Sequence, residues 1–151
     1  MNRTASLVVV LCVVVAAISL PVVVPMAMAE GPTPPEGAAA DGVVAFYFHG
    51  NVRCATCKKI EAYASEAVAT GFTDQLASGR LAWRVVNVDK PENKHFIEDF
   101  QLVTRSVVLA EYSGEKVVRW ENLDKVWQLV RSKDSFVEYV QDEAREFLGA
   151  S

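Results

Sequence analysis

Cysteine is scarce in this chain, and the common motifs for nucleotide binding and ester hydrolysis are absent. Only three cysteines occur in 151 residues, so there is no second cysteine pair to complete a closed four-ligand zinc site. The sequence also contains no G-x-G-x-x-G after a strand, no P-loop and no G-x-S-x-G. Dinucleotide-binding enzymes, P-loop nucleotide hydrolases and α/β-hydrolases are therefore not indicated.

Basic residues are also in the minority. The chain has 15 lysines and arginines against 19 aspartates and glutamates, for a net charge of −4, and the basic residues form no run. This argues against nucleic acid as a partner, because such proteins concentrate positive charge on one surface. With 51% hydrophobic and 23% charged residues, the composition favours one globular domain over pervasive disorder.

Polar side chains are nearly absent from residues 7–29, where Ser19 is the only one. Arg3 precedes this stretch, two prolines interrupt its end, and an A-x-A sequence finishes at Ala29, as in a secretory signal. We expect cleavage after Ala29, which also removes Cys12. The alternative is an uncleaved membrane anchor, since 23 residues can just span a bilayer. Either interpretation predicts an exported protein of the periplasm or cell envelope, or a secreted one, membrane-bound only if the segment stays.

The exported part begins with a spacer and continues as one domain. Residues 30–42 hold three of the six prolines and no large apolar side chain, which indicates an extended linker. The folded domain is predicted over 43–151. Its first strand, 43–50, is apolar on both faces and therefore belongs in the middle of a covered sheet. An amphipathic helix over 54–70 and a valine-rich strand over 81–89 complete a parallel crossover.

The rest of the domain predicts one more helix, a hairpin and a final helical region. Pro91 favours the start of a helix of about ten residues. Two β-rich runs flank the turn Ser113-Gly114-Glu115 and indicate a hairpin. Helical spacing over 123–130 and 135–148 predicts a last helix interrupted near Ser132. The order β-α-β-α-β-β-α predicts an α/β domain with a central mixed sheet of about four strands flanked by helices.

The strongest motif is HGNVRCATCKK, residues 49–59, which leaves the buried strand and opens the first helix. At a helix N-terminus the Cys54 thiolate faces unpaired N–H groups and the positive end of the helix dipole. Three cations lie nearby in sequence: Arg53, Lys58 and Lys59. We therefore expect the pKa of the Cys54 thiol to lie below that of free cysteine. Cys57, one turn later, is close enough for a disulfide and should be the less exposed partner.

A purely structural disulfide is the simplest alternative. A four-residue ring constrains the unfolded chain by only about 2 kcal/mol, whereas each unit of thiol pKa depression favours the reduced form by about 1.4 kcal/mol. A depression of two units would cancel the stabilisation. The pair is therefore expected to be a reducible, redox-active disulfide that exchanges with a protein thiol or disulfide.

Two further interpretations remain open. Cys54, Cys57 and His49 offer soft and imidazole ligands for Cu(I) or Zn(II), which makes a metal carrier possible. Alternatively, the cysteines have no catalytic role and the domain is an interaction module. No cofactor is predicted, and His95 is expected to face solvent.

The segment FYFHGNVRCATCKKIE, residues 46–61, resembles the thioredoxin superfamily. Within it, the segment is similar to the thioredoxin-like family of nitrophenyl compound nitroreductase subunits of the ArsF type. The resemblance implies a thioredoxin-like fold over roughly Val43 to Leu148. It also implies that Cys54 is the attacking cysteine and Cys57 the resolving one.

The sequence departs from thioredoxins at two positions. Ser106 stands where thioredoxins place a cis-proline, so the peptide bond before it should be trans and the wall facing Cys54 should offer a hydroxyl and a backbone N–H. Phe48 stands six residues before Cys54, where thioredoxins bury a carboxylate. General-base assistance must then come from another group, such as His49 or water.

The family name suggests reduction of nitroarenes, a reaction that normally uses a flavin. No flavin-binding signature occurs in this sequence. A dithiol supplies two electrons, whereas full reduction of a nitro group needs six. The resemblance therefore implies an accessory or electron-delivering subunit whose partner is a reductase subunit.

Overall fold

The computed structural model describes residues 41–149. The predicted signal or anchor (1–29) with Cys12, and residues 30–40 of the predicted linker, lie outside the described residues. Between residues 41 and 149, no helix has both the length and the apolar character needed to cross a membrane.

Four strands form one mixed sheet: β1 (Asp41–His49), β2 (Leu81–Asn87), β3 (Ser106–Ser113) and β4 (Lys116–Asn122). Their order across the sheet is β2-β1-β3-β4. β1 is parallel to β2 and antiparallel to β3, and β4 is antiparallel to β3. The predicted four-stranded mixed sheet is confirmed.

The helices lie on the two faces of this sheet: α1 (Ala55–Gly71), α2 (Thr73–Ser78), α3 (His95–Asp99), α4 (Val126–Leu129) and α5 (Lys133–Gly149). The interruption predicted near Ser132 separates α4 from α5. Gly79 ends α2 with φ of 78°, a left-handed conformation in which glycine has no steric penalty. The described residues therefore form an α/β domain with helices on both faces of the sheet.

β1 begins at Asp41, two residues before the predicted start of the domain. The Asp41 carboxylate accepts hydrogen bonds from the Ser113 hydroxyl and the Gly114 N–H, both at 3.1 Å. These contacts fasten the end of the predicted linker to the β3–β4 turn. The strand is thus extended by side-chain hydrogen bonds that apolar patterning does not reveal.

The predicted ten-residue helix after Pro91 was wrong in length. A 3₁₀ turn over Pro91–Asn93 precedes α3, which has only five residues. The Asn93 side chain donates to the Asn87 carbonyl at 2.9 Å and so holds the first turn against the end of β2. After α3 ends, Gln101 takes φ of 48°, a conformation that cannot continue a right-handed helix.

The core consists of two apolar clusters, one on each face of β1. Val43, Ala45 and Tyr47 face the cluster that includes residues of α1 and α5. Val44, Phe46 and Phe48 face the cluster that includes residues of α3. All six side chains are at most 1% exposed, which confirms the predicted strand buried on both faces.

Replacing Leu109 with alanine should lower the free energy of unfolding by about 2–5 kcal/mol, because the side chain is fully buried in the central strand β3. Urea denaturation followed by circular dichroism measures the change. Val103→Ala serves as the control, because Val103 is 94% exposed and its loss should change stability by no more than about 0.5 kcal/mol. Equal losses in both variants would contradict this packing.

Candidate functional site

The loop between β1 and α1 is fastened to the end of β2. The Asn51 N–H donates to Asp89 Oδ2 at 2.6 Å, and Asn87 Nδ2 donates to Asn51 Oδ1 at 2.8 Å. A Cβ on Gly50 would lie 2.8 Å from Asp89 Oδ2, so glycine allows this close approach. These contacts fix the position of the loop just before α1.

Cys54 is the N-cap residue of α1. Its backbone is extended, and its Sγ accepts a hydrogen bond from the Cys57 N–H at 3.0 Å. The two cysteines form a disulfide with their Cα atoms 5.1 Å apart. No acidic residue lies in the first turn of α1, so no carboxylate there opposes negative charge on sulfur.

The two cysteines differ sharply in exposure. Cys54 is exposed, whereas Cys57 is only 4% exposed. An incoming thiolate can therefore reach the Cys54 sulfur and not the Cys57 sulfur. The disulfide is therefore open to solvent on its Cys54 side.

Tyr47 is a site residue that the sequence analysis missed. Its side chain is fully buried, and its hydroxyl donates to the Cys57 carbonyl at 2.8 Å. Burial raises the pKa of Tyr47, and the positive charges of Arg53 and Arg105 partly oppose that rise. Phe48 instead points into the opposite core cluster. The strand alternation alone could have placed Tyr47 on the α1 side, together with Val43 and Ala45.

The cations near Cys54 are not equivalent. The Arg53 guanidinium forms an ion pair with Glu61, so its positive charge is largely compensated, contrary to the expectation from sequence. Lys58 and Lys59 are exposed, and neither forms an ion pair within residues 41–149. These two lysines therefore supply the uncompensated charge at the start of α1.

His49 is the residue that the sequence analysis grouped with the two cysteines as an alternative set of metal ligands. His49 Nδ1 lies 2.8 Å from the Gly50 carbonyl, which can only accept, so this nitrogen carries the proton. In the part of the chain that the structure describes, no three His, Cys, Asp or Glu side chains converge to hold a metal. His95 is exposed, as expected, and pairs with Asp99 at 2.7 Å.

Ser106 is buried, at 2% exposure. The hydroxyl donates to the Thr104 carbonyl at 3.1 Å and accepts from Asn122 Nδ2 at 3.3 Å. Its hydrogen bonds therefore go to the residues just before β3 and at the end of β4. The peptide bond before Ser106 is trans, as expected, like every other bond in residues 41–149.

Arg105, another residue that the sequence analysis missed, connects the loop before β3 to the loop before Cys54. Its guanidinium donates to the Val52 carbonyl at 3.2 Å, and its own carbonyl accepts from Trp127 Nε1 at 3.0 Å. Val52 and Val103, in these two loops, are 76% and 94% exposed. Apolar side chains thus project from the loops that adjoin the disulfide, as at surfaces that contact other proteins.

No protein-family model matches the chain, and no curated protein is significantly similar to it.

Tyr47→Phe removes one buried hydrogen bond and should lower the free energy of unfolding by about 1 kcal/mol. Chemical denaturation of the oxidised protein measures this loss. Tyr63→Phe is the matched control, because Tyr63 is only partly buried and packs at the margin of the same cluster. A loss no larger in Tyr47→Phe than in the control would show that the hydroxyl contributes nothing to holding Cys57.

Stability should also fall at alkaline pH. The pKa of Tyr47 is raised in the folded state, so the unfolded chain loses this proton first, and the folded state is increasingly disfavoured above about pH 10. Near-ultraviolet absorbance of tyrosinate, wild type minus Tyr47→Phe, measures the ionisation in the folded protein. A difference signal complete by about pH 10 would contradict the burial of this hydroxyl.

Proposed function

We propose that this protein is an exported, thioredoxin-like thiol–disulfide oxidoreductase that acts through Cys54 and Cys57. One observation carries the proposal: an exposed N-cap cysteine is joined to a buried cysteine one helical turn later. A structural bridge has no need of an exposed sulfur at a helix N-terminus. A redox disulfide has that need, because its thiolate must be reachable and stabilised.

The arrangement of the sheet supports the thioredoxin-like part of the proposal. The cysteine pair follows central strand β1, which is parallel to β2 and antiparallel to β3. The pair therefore lies at the sheet end where the parallel strands terminate. The resemblance of residues 46–61 to thioredoxin-like proteins points to the same fold.

Reduction of a partner disulfide would proceed in two exchanges. The Cys54 thiolate attacks one sulfur of the partner disulfide, a mixed disulfide forms, and the other partner sulfur leaves as a thiolate that takes up a proton. The Cys57 thiol loses its proton and attacks the Cys54 sulfur, which releases the second partner thiol. Counted from the fully protonated dithiol, whose Cys54 proton is lost on ionisation, the protein loses two electrons and two protons, and the partner gains both.

The disulfide form would react by the reverse sequence. A partner thiolate attacks the exposed Cys54 sulfur, and Cys57 leaves as a thiolate and is protonated. A second partner thiol, after losing its proton, then displaces Cys54. The reverse route uses the same difference in exposure, because only Cys54 presents its sulfur to a partner.

The thiolate of Cys54 has three sources of stabilisation in this proposal. The Cys57 N–H points at its sulfur, the helix dipole of α1 has its positive end there, and Lys58 and Lys59 carry uncompensated charge. Arg53 contributes less, because Glu61 compensates its charge.

The finer part of the proposal is an electron-delivering or accessory subunit of a nitrophenyl compound nitroreductase. It is supported by the resemblance of residues 46–61 to the ArsF-type family. In such an assembly the dithiol would pass electrons in pairs to a reductase subunit. Reduction of the nitro group itself would belong to that partner.

Cys54→Ser should abolish reduction of hydroxyethyl disulfide, because no reachable sulfur remains. Cys57→Ser should trap a mixed disulfide between Cys54 and the substrate, because the resolving sulfur is missing. Release of substrate thiol and mass spectrometry of the full chain, carrying Cys12→Ser throughout, measure the two effects. Ser78→Ala, at the exposed end of α2, is the control and should react at the parental rate. Unchanged activity in both cysteine variants would reject the proposal.

The Cys54 thiol should ionise at lower pH than a free cysteine thiol, whose pKa is about 8.5. The pH dependence of alkylation by iodoacetamide in Cys57→Ser, with Cys12→Ser in the background, measures this directly. The matched control is Cys54→Ser, in which the buried Cys57 should be alkylated slowly at every pH. A titration midpoint of Cys54 at or above about 8.5 would show that the helix does not activate it.

A further inference from the structure

Although the chain carries a net charge of −4, basic side chains predominate around the disulfide. Four cations near the first turn of α1 form no ion pair with any carboxylate in the described part of the chain: Lys58, Lys59, Arg105 and Arg131. Uncompensated charges of one sign at a reactive group attract partners of the opposite sign.

Two of these cations line the same cleft. A cavity of about 250 Å³ between α1 and the end of α4 is bordered by Thr56, Lys59, Trp127, Val130 and Arg131, and we name it the α1/α4 cleft. No carboxylate lines it. Thr56, which lies between the two cysteines in sequence, brings the lining of the cleft to the first turn of α1.

The wall of the α1/α4 cleft is held in place. The Trp127 indole N–H donates to the Arg105 carbonyl at 3.0 Å, and Val130 is 9% exposed at the margin of the larger core cluster. The cleft therefore pairs an apolar wall with two exposed cations, Lys59 and Arg131. This combination suits a carboxylate carried on a short aliphatic stem.

The cavity on the other side of β1 differs in charge. It is about 190 Å³ and contains Arg105, but it also contains Asp89, whose Oδ2 accepts the Asn51 N–H. Its remaining lining includes apolar side chains such as Ile97 and Leu102. Of these two cavities, only the α1/α4 cleft combines cations with a lining that contains no carboxylate.

We infer that the α1/α4 cleft binds an aspartate or glutamate side chain of the protein partner, located within a few residues of the cysteine that reacts with Cys54. This inference rests on the proposed function and specifies its substrate class as acidic protein segments. The carboxylate pairs with Lys59 and Arg131, and its stem packs against Trp127. Binding there holds the partner's sulfur beside the exposed sulfur of Cys54.

The experiment uses two synthetic peptides with one internal disulfide each. They are identical except that the residues flanking one cysteine are glutamates in the first and lysines in the second. For each peptide, the second-order rate constant for reduction by the reduced full chain, carrying Cys12→Ser, is measured. It is divided by the second-order rate constant for reduction of the same peptide by dithiothreitol, which removes differences in intrinsic peptide reactivity. At low ionic strength the acidic peptide should be preferred about tenfold, and high salt should remove the preference.

The double variant Lys59→Glu/Arg131→Glu should reverse the preference. Lys116→Glu is the control, because Lys116 is exposed and lies at the opposite end of the sheet, where it pairs with Ser113. The control should keep the parental preference. If it loses as much as the double variant, overall charge and not the cleft selects the partner, and the inference is overturned.

The remaining outcomes separate this inference from the proposed function. Reduction of both peptides at equal normalised rates by the parental chain would overturn the cleft inference and leave thiol–disulfide exchange in place. Reduction of neither peptide, nor of hydroxyethyl disulfide, would overturn the proposed function itself. The salt dependence is measured on the parental chain, so the test stands even if the double variant does not fold.

Discussion

The site depends on how the first turn of α1 is held against the end of β1. The Tyr47 hydroxyl, buried on the strand, donates to the Cys57 carbonyl, while the Cys57 N–H donates to the Cys54 sulfur. Strand β1, the buried Cys57 and the exposed Cys54 are thereby connected in one chain of hydrogen bonds. A buried hydrogen bond of this kind adds only about 1 kcal/mol, but it fixes geometry at the place where small displacements matter.

A second set of contacts holds the loops around the disulfide. Asp89 accepts the Asn51 N–H, and Arg105 reaches across to the Val52 carbonyl. These side chains tie the ends of β1 and β2 to the loop that precedes β3. The exposed Val52 and Val103 project from these connected loops, so the proposed partner would contact apolar side chains together with the Cys54 sulfur.

Some cations around the disulfide are paired with a carboxylate, and others are not. Glu61 compensates Arg53 next to Cys54, whereas Lys59 of α1 and Arg131 of the turn after α4 come together without a carboxylate. A sulfur anion would therefore draw its stabilisation from backbone dipoles and the nearby lysines, while the more distant cations remain available to a partner. In the proposed function, Lys59 serves both the thiolate and the partner, whereas Lys58 serves only the thiolate and Arg131 only the partner.

The sequence alone determined the buried strand β1, the start of α1 at Cys54, the four-stranded mixed sheet and the cysteine pair, because apolar periodicity and helix-start signals are local. The tertiary structure decided which side chains meet. Counting back from Cys54 pointed to Phe48, but the pleat of β1 turns Tyr47 toward Cys57. Likewise, the partners of Arg53 and of the Ser106 hydroxyl depend on chain segments that only folding brings together. Contacts between residues distant in sequence depend on strand register and helix placement, which no local pattern encodes.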